Sequence, residues 1–231
     1  MALPVVSTPT FTTVVPSTGE QIEYRPFLVK EEKTLLIALE GKEPSDIARA
    51  VSNLLSDCIL SNIDVSKLAT FDIEYLFLVL RGKSVGEVIT VSIGHTDSEC
   101  THKTEVQINI DDIKVQGEVK DKKIMLNDKL GVMLKYPNID AVSRGDMDTA
   151  EEVFKFIADH IDYVFDDETV YNDFSKQEIN DWIGTLNQNQ FQMISNWYAD
   201  MPSLKHTVTF TCPQCDEEET IILEGLQSFF T

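Results

Sequence analysis

Two turns that carry cysteine or histidine, more than a hundred residues apart, constrain this fold more than any other feature of the sequence. The first turn, His95-Thr-Asp-Ser-Glu-Cys100, separates alternating segments at 88–93 and 103–110. The second turn, Cys212-Pro-Gln-Cys215, separates alternating segments at 206–211 and 218–223. Alternation of apolar and polar residues is typical of half-buried β-strands. The sequence therefore predicts two β-hairpins, whose turns, 95–102 and 212–215, we name the first and second knuckles.

The two knuckles predict one shared metal site. Two residues between Cys212 and Cys215 allow both sulfurs to point at one centre, and the first knuckle offers His95 and Cys100. Two hairpins that each donate a pair of ligands form the closed tetrahedral site of a zinc ribbon. We therefore predict a structural zinc ion bound by His95, Cys100, Cys212 and Cys215, with His102 as the alternative to His95.

Other interpretations of the cysteines stay open at this point. The hairpins could persist while the metal is lost, which would leave an empty or oxidised pair. A redox pair at Cys212 and Cys215 would need a helix N-terminus to stabilise the thiolate. Here a strand pattern precedes the motif and acidic residues follow at 216–219, so redox catalysis is disfavoured. Cys58 falls within a helical pattern and is predicted to be a core residue.

The rest of the chain alternates between extended and helical patterns. Segments 12–15 and 21–24 flank the turn Pro16-Ser-Thr-Gly19 and predict a β-hairpin. Apolar residues at helical spacing predict helices at 30–40, 72–80, 149–165 and 190–198. Pro44 and the capping box Ser175-Lys-Gln-Glu178 each open a further helix. Short strands are predicted at 113–115, 123–126 and 131–135, and the segment 226–230 is an apolar tail.

These elements predict an α+β protein with a helical part and a small β part. The sequence shows no low-complexity segment and no long linker, so we predict a single domain over 1–231. Within that domain, 86–118 and 205–224 are predicted to form a composite zinc-ribbon-like subdomain from the two hairpins.

The charge of the chain favours a protein partner. Its 39 acidic and 19 basic residues give a net charge of −20, which disfavours binding to nucleic acid or to a membrane surface. Acidic stretches at 159–173 and 216–219 would steer a basic partner, although the charge also serves solubility. The apolar run at 75–80 is far shorter than the roughly 20 residues of a membrane-spanning helix. The N-terminus lacks a signal-peptide pattern, so we expect a cytoplasmic chain.

The sequence does not contain the common catalytic motifs. It has no GxxxxGK[ST] loop, no GxGxxG after a strand, no HExxH and no GxSxG. His160 and His206 are predicted to be surface or capping residues rather than bases. Asp166, Asp167 and Glu168 are the remaining candidates for a magnesium-dependent hydrolase, but acidic clusters between helices are usually solvated. We therefore predict a protein that is not an enzyme.

Several segments, in this order, resemble the T4-like bacteriophage baseplate protein family. They are Tyr24-Arg-Pro-Phe-Leu-Val-Lys-Glu-Glu-Lys33, Phe71-Asp-Ile-Glu-Tyr-Leu-Phe-Leu78, Leu80-Arg-Gly-Lys-Ser-Val-Gly-Glu87, Asp111-Asp-Ile-Lys-Val115 and Glu224-Gly-Leu-Gln-Ser-Phe-Phe230. The resemblance covers nearly the whole chain and implies a small baseplate hub subunit of a contractile-tailed phage. It implies a non-enzymatic role in the structure or assembly of the hub, in the host cytoplasm during assembly and in the virion tail.

The same resemblance leaves the partner and the timing open. Other baseplate hub proteins or the tape-measure protein are the implied partners, and a transient assembly chaperone absent from the virion is the alternative. We expect interface residues at 24–29, with Arg25 and Lys30, and at Phe229 and Phe230. From a different class, a zinc-ribbon adaptor of a transcription complex would also use the two knuckles, but it would be expected to carry a basic strip beside them.

Overall fold

The computed structural model describes residues 7–95, 100–142, 149–225 and 228, and it has helices and small antiparallel sheets, as an α+β protein should. The helices are α1 (Val29–Gly41), α2 (Pro44–Cys58), α3 (Thr70–Ser84), α4 (Ile139–Val142), α5 (Ala150–Asp159), α6 (Lys176–Ile183) and α7 (Gln188–Ala199). The strands are β1 (Phe11–Val14), β2 (Gln21–Tyr24), β3 (Val88–Gly94), β4 (Lys103–Asn109), β5 (Lys114–Gln116), β6 (Lys123–Met125), β7 (Gly131–Leu134), β8 (Ile161–Phe165), β9 (Val170–Tyr171), β10 (Ser203–Thr211) and β11 (Glu218–Glu224).

The N-terminal hairpin packs with the first three helices. Strands β1 and β2 pair in antiparallel fashion from Phe11 opposite Tyr24, which confirms the predicted hairpin. Their inward side chains join those of α1, α2 and α3 in an apolar group that we name the α1–α3 cluster; it includes Ile22, Tyr24, Leu35, Leu54, Leu55 and Phe77. Cys58 is fully buried in this cluster, so its predicted place in the core is confirmed.

Helix α3 is the element that the three apolar clusters share. Ile73, Leu76, Phe77 and Leu80 belong to the α1–α3 cluster, whereas Phe71 and Leu78 belong to two other clusters. The helix is longer than the predicted 72–80, and it continues through Gly82. Contacts on several of its sides outweigh the helix penalty of about 1 kcal/mol for one glycine.

The predicted helix at 149–165 is wrong in its last six residues. Helix α5 ends at Asp159, and the next residue, His160, lies at φ −113° with its N–H donating to the carbonyl oxygen of Ile157. Residues Ile161–Phe165 form strand β8, in which Val164 pairs opposite Val132 of β7. The apolar spacing fits a helix, but pairing with a strand some thirty residues earlier decides the conformation, because β-branched side chains pack well in a sheet.

The helices α5, α6 and α7 pack with the sheet β6-β7-β8-β9. We name their shared apolar group the α5–α7 cluster; it includes Phe71, Val132, Leu134, Ile157, Ile183, Ile194 and Trp197. The predicted capping box is present, because Ser175 Oγ accepts from the N–H of Glu178 and Glu178 Oε2 accepts from the N–H of Ser175. The tail at 226–230 lies outside the described residues apart from Ser228.

The β unit, which we define as strands β3, β4, β5, β10 and β11, consists of two small sheets. Strands β3 and β4 form the first, and β11, β10 and β5 form the second in that order. The inward residues of both sheets meet Leu78 of α3 in the β-unit cluster; it includes Ile89, Val91, Ile93, Ile108, Val208, Phe210 and Leu223. Both predicted hairpins are therefore present. None of the helices in the described part of the chain is long and apolar enough to cross a membrane.

Candidate metal centre

The two hairpins place their knuckles at the same end of the β unit. His95 directly follows β3, and Cys100 lies shortly before β4. Cys212 directly follows β10, where its N–H donates to the carbonyl oxygen of Glu217 at 2.9 Å and closes the turn. Asp216 takes a left-handed backbone conformation at φ 58°, which lets the chain reverse between Cys215 and β11. The local turns therefore direct both knuckles towards each other.

The structure brings His95, Cys100, Cys212 and Cys215 together. Their ligand atoms all lie within 4.8 Å of one another. Two contacts cross between the hairpins, with Cys100 Sγ 3.9 Å from Cys212 Sγ and Cys215 Sγ 3.4 Å from His95 Nε2. His102, the alternative ligand, is not a member of this group.

The donor set and its spacing fit a tetrahedral zinc ion. Zinc–sulfur bonds of about 2.3 Å and zinc–nitrogen bonds of about 2.0 Å at tetrahedral angles place neighbouring ligand atoms about 3.5–3.8 Å apart. The distances of 3.9 and 3.4 Å between ligand atoms of the two hairpins fall close to that range. Three cysteines and one histidine are also one of the common ligand sets of structural zinc. The cluster could therefore hold a metal ion of this kind.

Glu219 orients the imidazole of His95. Its Oε2 lies 2.9 Å from His95 Nδ1, which leaves Nε2 directed at Cys215. A carboxylate on the outer ring nitrogen fixes the tautomer and the ring plane of a metal-binding histidine. Glu219 was not among the site residues predicted from the sequence, although it lies opposite the buried Phe210, on the same face of β11 as Ile221 and Leu223. An acidic side chain at an inward position of a strand indicates a specific partner.

Interactions within the cluster give Cys212 and Cys215 very different pKa values. The neighbouring imidazole of His95 lowers the pKa of Cys212 to about 6, and N–H groups of Gln214 and Cys215 contribute in the same direction. Although the backbone hydrogen bond at Glu217 lowers the pKa of Cys215, desolvation and the sulfurs of Cys212 and Cys100 raise it to about 11. One thiolate thus disfavours a second beside it, and a divalent cation would remove that repulsion.

The two histidines outside the knuckles lie at the end of a helix and within a strand. His160 is buried beside the end of α5, and its Nδ1 lies 2.6 Å from the carbonyl oxygen of Phe156. The capping role predicted for it is confirmed by its position after α5. His206 lies within β10, opposite Leu223 of β11.

The acidic residues proposed for a hydrolase do not form a metal group. Asp166 Oδ1 accepts from the N–H groups of Glu168 and Thr169, and Asp166 Oδ2 accepts from the hydroxyl of Tyr171. Among the described residues, ligand atoms of His, Cys, Asp or Glu converge only at the two knuckles. The Asp166 carboxylate therefore shapes the turn between β8 and β9.

The predicted interface segment 24–29 is divided between core and surface. Tyr24 and Phe27 are buried in the α1–α3 cluster, whereas Leu28 and Val29 are exposed. Arg25 donates to Glu31 at 2.9 Å and is committed to an internal ion pair. The second predicted interface, Phe229 and Phe230, lies outside the described residues.

The comparisons with known proteins agree with the resemblance seen in the sequence. The family model of the T4 bacteriophage base plate protein matches residues 8–231, a range that includes both knuckles. A search of the curated proteins and a search of the solved structures returned no match. The family indicates a structural role in a phage tail, among other phage structural proteins. The chain belongs to the T4 bacteriophage base plate protein family.

Proposed function

We propose that the chain is a non-enzymatic subunit of the baseplate hub that acts in the structure or assembly of the tail. The family match over residues 8–231 is the observation that carries this proposal. The three apolar clusters that meet on α3 support it, because they give a rigid body suited to docking against hub or tape-measure proteins. The net charge of −20 would steer a basic partner towards it.

The proposal includes one structural zinc ion held by His95, Cys100, Cys212 and Cys215. In this proposal, residues 86–118 and 205–224 form a zinc-ribbon-like subdomain within a single domain. The spacing of the ligand atoms and the orientation of His95 by Glu219 support this assignment. Four protein ligands leave no open coordination position for a substrate, so the ion would hold the hairpins together and take no part in catalysis.

The acidic residues that follow the second knuckle disfavour the alternative in which the chain is a zinc-ribbon adaptor of a transcription complex. Asp216, Glu217 and Glu218 follow Cys215 directly, where such an adaptor would be expected to carry a basic strip for its partner. The transient chaperone, in contrast, shares the surface and the partners of a hub subunit. Only its presence in the finished particle distinguishes the two.

Quantitative mass spectrometry of purified phage particles and of free tails tests the proposal. A hub subunit is expected at a fixed copy number per tail in both samples, whereas a chaperone is expected in assembly intermediates only. A pull-down from infected cells at low and at high salt identifies the partner, and recovery of hub or tape-measure proteins only at low salt supports charge-steered assembly. Normal tails assembled by a phage that lacks the chain would contradict both roles.

A further inference from the structure

A cleft of about 400 Å³ lies between α6 and the strands β8 and β9. Its floor is apolar and is lined by Leu130, Val164, Phe174, Ile179 and Trp182. Its rim carries three carboxylates, those of Asp166, Asp173 and Glu178. We name this feature the α6 cleft. Among the described residues that line it, the ionisable side chains are these three carboxyl groups and the hydroxyl of Tyr171.

Local hydrogen bonds fix two of the three charges in place. The Asp166 carboxylate accepts hydrogen bonds from the N–H groups of Glu168 and Thr169 and from the hydroxyl of Tyr171. The hydrogen bond from Glu168 makes the largest contribution to lowering the pKa of Asp166. The backbone N–H of Ser175 likewise lowers the pKa of Glu178. Both groups therefore stay ionised at neutral pH, in orientations set by a turn and by a helix cap. The rim is a preorganised negative surface.

The spacing of these carboxylates disfavours a chelated metal ion. Within the described residues, convergent ligand atoms occur only at the knuckles. Charges distributed around an apolar floor instead suit a long side chain with an aliphatic stem and a cationic end. Arginine fits best, because its guanidinium stacks on an indole such as that of Trp182 and donates to several carboxylates at once.

We propose that the α6 cleft binds a cationic segment of a partner protein, in which an arginine lies next to an apolar residue. The apolar residue would fill the floor beside Ile179, and the guanidinium would reach the rim at Asp173. Charge complementarity carries the choice of partner, since the lining is acidic and the whole chain has a charge of −20. The inference rests on the proposed function in that it takes the partner to be another tail protein.

The test uses the full-length protein labelled with ¹⁵N and a synthetic peptide, Ac-Gly-Leu-Arg-Leu-Arg-Gly-NH₂. We expect amide shift changes confined to the residues of the α6 cleft, and binding that weakens as salt is raised. Asp173→Asn should weaken binding about threefold, the effect of removing one exposed charge partner. Asp173 is exposed and accepts no hydrogen bond within the described part of the chain, so the variant should fold normally.

Two sets of controls separate specific binding from general attraction to an acidic protein. Glu40→Gln on α1 removes the same charge from another surface and should leave the peptide affinity unchanged. A peptide with serine in place of leucine keeps the charge and should bind at least about fivefold more weakly, because it cannot fill the floor. Absence of binding, equal weakening by Asp173→Asn and Glu40→Gln, or equal binding of the serine peptide would each overturn the proposal.

Because the peptide test uses purified protein, its result does not depend on the place of the chain in the tail. If the peptide binds at the α6 cleft but the chain is absent from particles and assembly intermediates, the proposed binding site stands and the hub role is rejected. A fixed copy number in tails with no peptide binding would retain the hub role and reject the cleft.

Discussion

The α1–α3 cluster and the β unit differ in how much apolar packing they contain. The α1–α3 cluster contains large, fully buried side chains such as Ile22, Leu55 and Phe77. The β unit has a smaller cluster, which reaches α3 at one end through Leu78, while its other end carries the four knuckle side chains. At the knuckle end of the β unit, a bound metal ion would add stability of the kind that apolar packing supplies in the α1–α3 cluster.

Removal of the metal gives the largest expected effect and acts on the β unit alone. Purified protein should contain about one equivalent of zinc, and chelation should lower the free energy of unfolding of the β unit by several kcal/mol, since structural zinc contributes on the order of 10 kcal/mol. Elemental analysis and thermal melts with and without chelator measure both. A protein that contains no metal and whose melting temperature is unchanged by chelator would contradict the proposed metal site. The α1–α3 cluster and the β unit would then no longer differ in their response to chelator.

Replacement of one ligand should reproduce the effect of chelation. Cys212→Ser is expected to expose the strands around the knuckles to protease while the helices persist, because the proposed ion would hold together only the β unit. Limited proteolysis followed by mass spectrometry locates the cleavage sites. Cys58→Ser is the matched control, because it removes a sulfur from the α1–α3 cluster and should leave the zinc content unchanged. An unchanged proteolysis pattern for Cys212→Ser would mean that the ribbon is not structural.

A core truncation should destabilise the helical region without any dependence on metal. Phe77→Ala is expected to lower the free energy of unfolding by about 3–5 kcal/mol, because it removes a fully buried ring from a packed cluster. Urea unfolding measured with and without chelator should show the same loss in both conditions. A loss that grows when chelator is present would show that the two regions are energetically coupled.

Loss of the carboxylate behind His95 should weaken metal binding without abolishing it. Glu219→Gln is expected to lower zinc affinity tenfold to hundredfold, or about 1.4–2.7 kcal/mol, because the imidazole loses the partner that fixes its orientation. Competition with a chromophoric chelator measures the affinity. Glu218→Gln, one residue earlier on the exposed face of β11, removes the same charge and should have little effect. Equal losses in both variants would assign the effect to charge alone.

The smallest expected effect is a pH dependence of stability that arises from Glu31 in helix α1. Glu31 is desolvated, but hydrogen bonds from Arg25, Leu28 and Lys30 lower its pKa below the ordinary 4.5. Its contribution to stability is therefore complete above about pH 4.5 and is lost as pH falls through the folded pKa. Glu31→Gln should remove about 1–2 kcal/mol at pH 7 and less at pH 3. Equal losses at both pH values, measured by urea unfolding, would contradict the ionised pair.

Local signals in the sequence predicted much of the fold and the proximity of the four candidate ligands. Pro44, Ser175 and the N-terminal turn act within a few residues, so the elements they open could be assigned without knowledge of tertiary contacts. The alternation on both sides of each knuckle similarly predicted the hairpins that bring the four side chains together.

The missed features depend on contacts distant in sequence. Strand β8 takes its conformation from β7, so the apolar spacing at 149–165 alone indicated a helix. Glu219 acts through His95, more than a hundred residues earlier, and only its inward position on β11 could have revealed it. The length of α3 likewise follows from three clusters that no local pattern defines.

The separation of the knuckles along the chain sets the order of events during synthesis. Cys100 and Cys212 are 112 residues apart, and His95 and Cys215 are 120 residues apart. The ribosome thus completes the first hairpin long before the second exists, and until then the nascent polypeptide can offer an ion only the incomplete set of donors at 95–102. A cation held by all four side chains can be captured only after residue 215 has been made.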